Sequence, residues 1–142
     1  MAVTVFFQAK APSAAKSGGL FKRAAAAALG RAFARGTVNL IYTGDAAIKK
    51  LNRQYLKKDR VTDVIAFNLP PAPVPGAALG EIYICLPQAR RQGRAMGHSL
   101  MTELLVLTVH GALHLAGMDD STPALRARMN ARTARLLKKL RL

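Results

Sequence analysis

The run Leu104-Leu105-Val106-Leu107-Thr108-Val109 leads straight into His110-Gly-Ala-Leu-His114-Leu-Ala-Gly117-Met-Asp119-Asp120. No other stretch constrains the chain so tightly. The apolar run predicts a buried helix, and histidines on a buried helix need partners. Spaced four apart, His110 and His114 stack two imidazoles on one face. Gly117 lies where a helix can stop in a left-handed turn. The chain then swings back and brings Asp120 against the same face. Two neutral imidazoles and a carboxylate leave a fourth position for water, the arrangement of a catalytic rather than a structural zinc. His110, His114 and Asp120 are therefore the expected ligands of one Zn2+ ion. The competing reading is a pair of half-buried histidines with ordinary hydrogen bonds. Against it stands the scarcity of the residue: the chain has 3 histidines and two are here. His98, the third, is expected to cap a helix rather than to bind metal.

The charge is as uneven as the histidine usage. The 142 residues carry 22 Lys and Arg against 7 Asp and Glu, a net charge of +15. The basic residues fall in clusters: Lys49, Lys50, Arg53, Lys57, Lys58, Arg60; then Arg90, Arg91, Arg94; then Arg126 through Arg141 with no acid after Asp120. Such an excess points to a polyanion, RNA or DNA. The plain alternative is the composition bias of an Arg-rich proteome. Of the acids, Asp63, Glu81, Glu103, Asp119 and Asp120 sit within or beside apolar segments, while Asp45 and Asp59 read as plain surface residues.

One cysteine, Cys85, excludes an internal disulfide and suits a reducing compartment. Its apolar neighbours make it a buried thiol rather than a nucleophile. No run reaches the ~20 apolar residues of a membrane span, and no secretory signal is apparent. The Ala- and Arg-rich stretch Leu20–Arg35 has the composition of a transit peptide, but a strand precedes it, so it reads as a first helix. A cytoplasmic protein without a membrane partner is expected.

The order of elements follows from periodicity and turn signals. Val3–Phe7 is a strand. Leu20–Arg35 is a helix with Phe21, Ala25, Leu29, Ala32 and Phe33 on one face. Thr37–Thr43 is a strand, and Asp45 caps a helix through Leu56 with Ile48, Leu51 and Tyr55 inward. Val61–Phe67 is a strand, Pro70–Gly76 a stiff connection, and Leu79–Cys85 a strand. Pro87 opens a helix to Met96 that Gly97 breaks. His98 or Ser99 caps the long apolar helix. Thr122 caps a last helix begun by Pro123, with Leu125, Met129, Leu136 and Leu140 inward. The expectation is one α+β domain over residues 1–142, helices packed on a small mixed sheet of about four strands, with a zinc-hydrolase-like metal helix.

Four motifs in order give this chain a resemblance. His110 to Asp120 is similar to a signature His-Gly-x-Leu-His-Leu-x-Gly-Tyr-Asp-His. Leu51-Asn-Arg-Gln-Tyr-Leu-Lys-Lys-Asp-Arg-Val-Thr-Asp-Val-Ile-Ala-Phe67 matches Leu-Asn-x-x-Tyr-Arg-x-Lys-Asp-x-x-Thr-Asp-Val-Leu-Ser-Phe. Leu79-Gly-Glu-Ile-Tyr-Ile-Cys85 matches Leu-Gly-Asp-Ile-x-Ile-Cys, and Gly97 to Leu100 reads Gly-His-Ser-Leu. The chain thus resembles the YbeY family of bacterial metal-dependent endoribonucleases, which act in ribosomal RNA maturation and ribosome quality control. The resemblance implies a nuclease with ribosomal RNA or the small ribosomal subunit as partner, and places Thr62 and Asp63 near the metal; the plain alternative for that pair is a hydrogen bond at the start of a strand. Two positions depart from it. Asp120 stands where the family has a third histidine, and Leu56 where it has an arginine that contacts RNA. Carboxylate oxygen also binds zinc, but an anionic ligand makes the metal a weaker Lewis acid. Arg53 and Arg60 are the nearest cations to replace the missing one.

The metal would lower the pKa of its bound water toward ~7 and polarise a phosphodiester. No general base is evident. The spacing His-x3-His-x5-Asp also resembles metzincin proteases, which need Glu directly after the first His; here that residue is Gly111. A non-catalytic ribosome- or RNA-binding protein that keeps the fold is the alternative function.

Overall fold

Strands β1 (Ala2–Phe7), β2 (Thr37–Thr43), β3 (Val64–Asn68) and β4 (Ala78–Cys85) form one sheet in the order β1-β2-β4-β3. β2 is parallel to β1 and to β4, and β3 runs antiparallel to β4 at the edge. The computed structural model describes residues 2–12, 15, 18–70, 74 and 76–141. The central strands bury both faces, as parallel strands do. Val38, Leu40, Tyr42, Ile82 and Ile84 join the larger core with helices α1 (Gly19–Leu29), α4 (Leu100–Leu115) and α5 (Pro123–Lys139). Ile65, Phe67, Tyr83 and Cys85 face a smaller cluster under α2 (Asp45–Leu56). α3 (Leu86–Met96) follows β4 without a break and packs beside α4. This is the expected α+β architecture on a mixed four-stranded sheet.

α4 buries ten of its residues, and two glycines let it lie close to the sheet. A Cβ on Gly111 would come within 2.4 Å of Ile82 Cγ2 and 3.0 Å of Val64 Cγ2, and one on Gly80 within 2.5 Å of Leu115 Cδ2. The position after His110 is thus pressed on β3 and β4. A protease's glutamate there has no room.

Several local expectations are corrected. The first helix ends at Leu29, because Gly30 turns the chain with φ 70; a 3-10 turn Arg31–Phe33 follows and leaves Ala32 exposed. β3 starts at Val64, not Val61, because the Asp63 carboxylate accepts the Val64 N–H at 2.8 Å, a local side-chain bond ahead of the ladder. Gly44 is the N-cap of α2 and Asp45 lies inside its first turn. Nor are Asp45 and Asp59 isolated: Asp45 takes Arg91 at 2.7 and 3.1 Å, and Asp59 lies 3.8 Å from Arg53. Ser99, not His98, caps α4, its hydroxyl accepting the Thr102 N–H. Tyr55 keeps the inward side of α2, its ring 5.0 Å from that of Phe67, but stands at the rim and is 57% exposed. On α5 the buried residues are Met129, Thr133 and Leu136, with Leu125 and Leu140 half-buried. Thr122 caps this helix and Pro123 opens it.

Cys85 is fully buried, and desolvation pushes its thiol up to about 12. Of the Pro70–Gly76 connection, residues 71–73 and 75 lie outside the described residues. Among the described residues no helix is long and apolar enough to cross a membrane.

Candidate metal centre

The C-terminal end of α4 sets the geometry. The helix closes with Gly117 N–H donating to His114 O and Met118 N–H to Leu113 O, and Gly117 takes φ 104. Only a residue without Cβ enters that conformation cheaply. The reversal brings the Asp120 carboxylate to His114, with Nε2 and Oδ2 3.4 Å apart. On the other side of the ring, His114 Nδ1 lies 3.1 Å from the Met118 carbonyl. A carbonyl only accepts, so Nδ1 carries the hydrogen and a neutral His114 turns the lone pair of Nε2 toward Asp120. Lone pair against carboxylate is unfavourable unless a cation, a proton or a metal, stands between them. Fixing the ring through the nitrogen away from the metal is a common feature of zinc-binding histidines.

His110 lies one turn earlier. Among the described residues its Nε2, like that of His98, is buried without a hydrogen-bond partner, a costly state for a polar atom. Burial holds its pKa below the ordinary 6.5; the charges of Asp63, Asp120 and Glu103 oppose that, and His114 adds to it. The ring is therefore neutral near pH 7, the form that binds metal. An orphaned imidazole nitrogen, a second with its lone pair turned outward and a carboxylate suit zinc by donor chemistry. They are neighbours rather than a closed cage: among the described residues no three His, Cys, Asp or Glu side chains are gathered as a metal-holding group.

Asp119 faces elsewhere. Its oxygens accept the Ser121 N–H at 3.1 Å and the Ser121 hydroxyl at 2.6 Å, and these bonds hold its carboxyl below the usual range.

Behind His110 stands a polar network. Glu103 is 2% exposed. Gln92 Nε2 donates to Glu103 Oε2 at 3.2 Å and to Asp63 Oδ2 at 3.4 Å, while Gln88 donates to Gln92 Oε1 at 3.1 Å. His98 Nε2 stands 3.4 Å from Glu103 Oε1. Glu103 precedes His110 by two helical turns, so its face was readable from spacing. Gln92 and Gln88 come from α3 and gave no signal. Asp63 both starts β3 and lies close enough to act on His110 electrostatically; Thr62 beside it is half-buried. Neither arginine faces the histidines. Arg53 is 63% exposed and pairs with Asp59, and Arg60 is exposed, with its carbonyl accepting from Asn52.

The shift on His110 has a pH consequence. Its folded pKa lies below its unfolded value, so below about 6.5 the unfolded chain takes the proton first. Metal-free protein should lose stability as pH falls from 6.5, and His110→Gln should flatten that loss. Urea unfolding between pH 5 and 8 reads it; equal slopes for the two proteins would refute the assignment.

A family model described as Endoribonuclease YbeY matches residues 13–141. A protein from Elusimicrobium minutum, named Endoribonuclease YbeY, is 41% identical over 143 residues, covering 99% of this chain and 100% of that one. One of the same name from Moorella thermoacetica is 47% identical over 124 residues, covering 81% of this chain and 79% of that one. The solution structure of a Thermotoga maritima protein superposes with a TM-score of 0.59 at 25% identity, over 98% of this chain and 91% of that one. Sequence match and fold agree from the first helix to the last, and the chain belongs to the YbeY endoribonuclease family.

Proposed function

We propose that this protein is a zinc-dependent endoribonuclease of the cytoplasm, acting on ribosomal RNA in its maturation and in ribosome quality control. The observation that carries the metal is the unpartnered Nε2 of His110, among the described residues, beside a His114 whose Nε2 lies 3.4 Å from the Asp120 carboxylate. Zinc held by the three would supply a Lewis acid for the phosphodiester and a more acidic water. The chain's own residues do the rest. Met118 O holds the His114 ring, the buried Glu103–Gln92–Asp63 network surrounds His110 with negative charge, and Asp120 adds an anionic ligand. Lys and Arg clusters grip the RNA backbone. Phosphate contacts carry little sequence information, so RNA shape or the ribosome selects the cut.

The test is cleavage of ribosomal RNA with and without a chelator. Cleavage that a chelator abolishes and zinc restores supports the reading. RNA binding without cleavage at any metal loading would favour the alternative, a non-catalytic RNA- or ribosome-binding protein. That alternative has its own observation: Leu56, where relatives of the resembled motif carry a cation, is a 48% exposed leucine.

The Asp120 position separates ligand from bystander. Asp120→Ala should lower zinc affinity by about 10-fold or more, on the scale of losing a supporting or ligating group. Asp119→Ala, which touches only the Ser121 turn, should retain more metal. Asp120→His should keep the metal and raise the cleavage rate near neutral pH, because a neutral ligand leaves the metal a stronger acid. Metal that survives Asp120→Ala but is lost in Asp119→Ala would move the ligand by one residue.

A further inference from the structure

On the face of the sheet opposite α4 lies a second concavity, about 270 Å³ in volume, between α2 and the ends of β3 and β4. Leu51, Tyr55, Phe67 and Tyr83 make its walls, with Glu81 among them. Its size is just under that of a small-ligand pocket. The rings form a ladder: Tyr55 meets Phe67 edge-on at 5.0 Å, and Phe67 meets Tyr83 at 6.1 Å. Tyr55, at 57% exposure, offers an open face at the rim. Among the described residues Glu81 is the single carboxylate in the lining. Its Oε1 accepts the Tyr83 hydroxyl at 3.1 Å, and among the described residues its other oxygen has no hydrogen-bond partner. A half-buried carboxylate with a free oxygen on an aromatic wall is set to accept from a ligand. Lys57 and Lys58 follow directly on α2; they repel a cationic ligand and attract a phosphate.

We infer that this cleft, with Tyr55, Phe67 and Tyr83 as walls and Glu81 as acceptor, is a nucleobase subsite for an unpaired guanine of the RNA. The inference rests on the endoribonuclease reading. Aromatic faces stack any base. A carboxylate selects among bases by their donors. Guanine alone presents two adjacent donors, N1–H and the N2 amino group. Adenine and cytosine present one amino group beside an acceptor, and uracil one N–H between two carbonyls. The location suits a substrate that also reaches His110. Asp63, directly before β3 and near His110, and Phe67, on β3 in the cleft, are four residues apart, roughly 13 Å at the rise of a strand. β3 is the edge strand, so a single strand of RNA can pass around it from one face to the other.

Binding of short 2′-O-methyl oligouridines carrying one central guanine, inosine or adenine tests this, by fluorescence anisotropy on the intact protein. Wild type should bind the guanine oligomer about tenfold more tightly than the adenine one, the scale of a good bidentate contact. Inosine, which lacks the N2 amino group, should fall between them. Glu81→Gln should erase the guanine preference, because the amide puts a donor where guanine needs an acceptor. Tyr55→Ala should weaken all three by about tenfold, the scale of one lost stacking contact. Equal affinity of wild type for the three oligomers overturns the subsite, as does a preference that survives Glu81→Gln. If the protein cuts ribosomal RNA yet shows no preference, or binds none of the oligomers, the subsite alone falls; the endoribonuclease reading falls only if the cleavage test fails. The inosine series needs no variant, so a misfolded substitution cannot obscure the answer.

Discussion

His110→Ala and His114→Ala are each expected to lower zinc affinity by more than about 100-fold, beyond the range for losing a mere supporting group, and to abolish RNA cleavage. Each removes an imidazole that has no equivalent nearby. Among the described residues His110 Nε2 has no protein partner to lose, so its removal costs the metal-free fold packing of the ring but no hydrogen bond there. His114 differs, because its Nδ1 bond to Met118 O pins the reversal after α4. His114→Ala should therefore also loosen Asp119 and Asp120, while His110→Ala should not. Titration calorimetry with zinc and hydrogen exchange at residues 116–121 read the two effects separately. Wild-type protein that takes up no zinc, or a His110→Ala variant that retains it, would sink the proposed site.

Gly111→Ala is expected to destabilise the fold by about 2 kcal/mol, within the usual range for overpacking a core. An added Cβ would sit 2.4 Å from Ile82 Cγ2 and 3.0 Å from Val64 Cγ2, both on the rigid sheet. Helix propensity favours alanine by up to about 1 kcal/mol, which offsets only part of the clash. For a chain of this size the melting temperature should fall by roughly 5–10 °C. Gly111→Glu, which would write the protease base into the motif, should not fold at all, because it drives a charge between α4 and β4. A Gly111→Ala variant as stable as wild type would show that α4 can lift from the sheet.

Residues differ in how far they could be read in advance. The span of β2 was legible to the residue, and α2 to within one residue at its start, where Gly44 and not Asp45 is the cap. The ends that were misplaced depend on single side chains. Asp63 delays β3 by bonding the next amide, and Gly30 ends α1 where the Ala- and Arg-rich pattern runs on. Tyr55 has inward helical spacing and meets Phe67, yet it stands at the open rim of the cleft and stays 57% exposed. The nearness of His114 and Asp120, with His110 one turn earlier, was readable because all three lie within one helical end and its turn. The Gln88–Gln92–Glu103–Asp63 network was not, since two helices and a strand contribute to it.

The sequence by itself determined whatever depends on neighbours along the chain. That includes the family motifs, the order of strands and helices, the His110–His114 face and the reversal at Gly117. Only the tertiary structure decided what depends on neighbours in space. It placed β4 between β2 and β3. It turned Gly111 into a contact surface rather than a vacant catalytic position. It gave Asp120 to His114 and Asp119 to Ser121, and it set Glu81 among three aromatic rings. Backbone periodicity is a local property written every few residues, whereas the approach of two side chains distant in sequence is settled only when the packed layers find their distance and register.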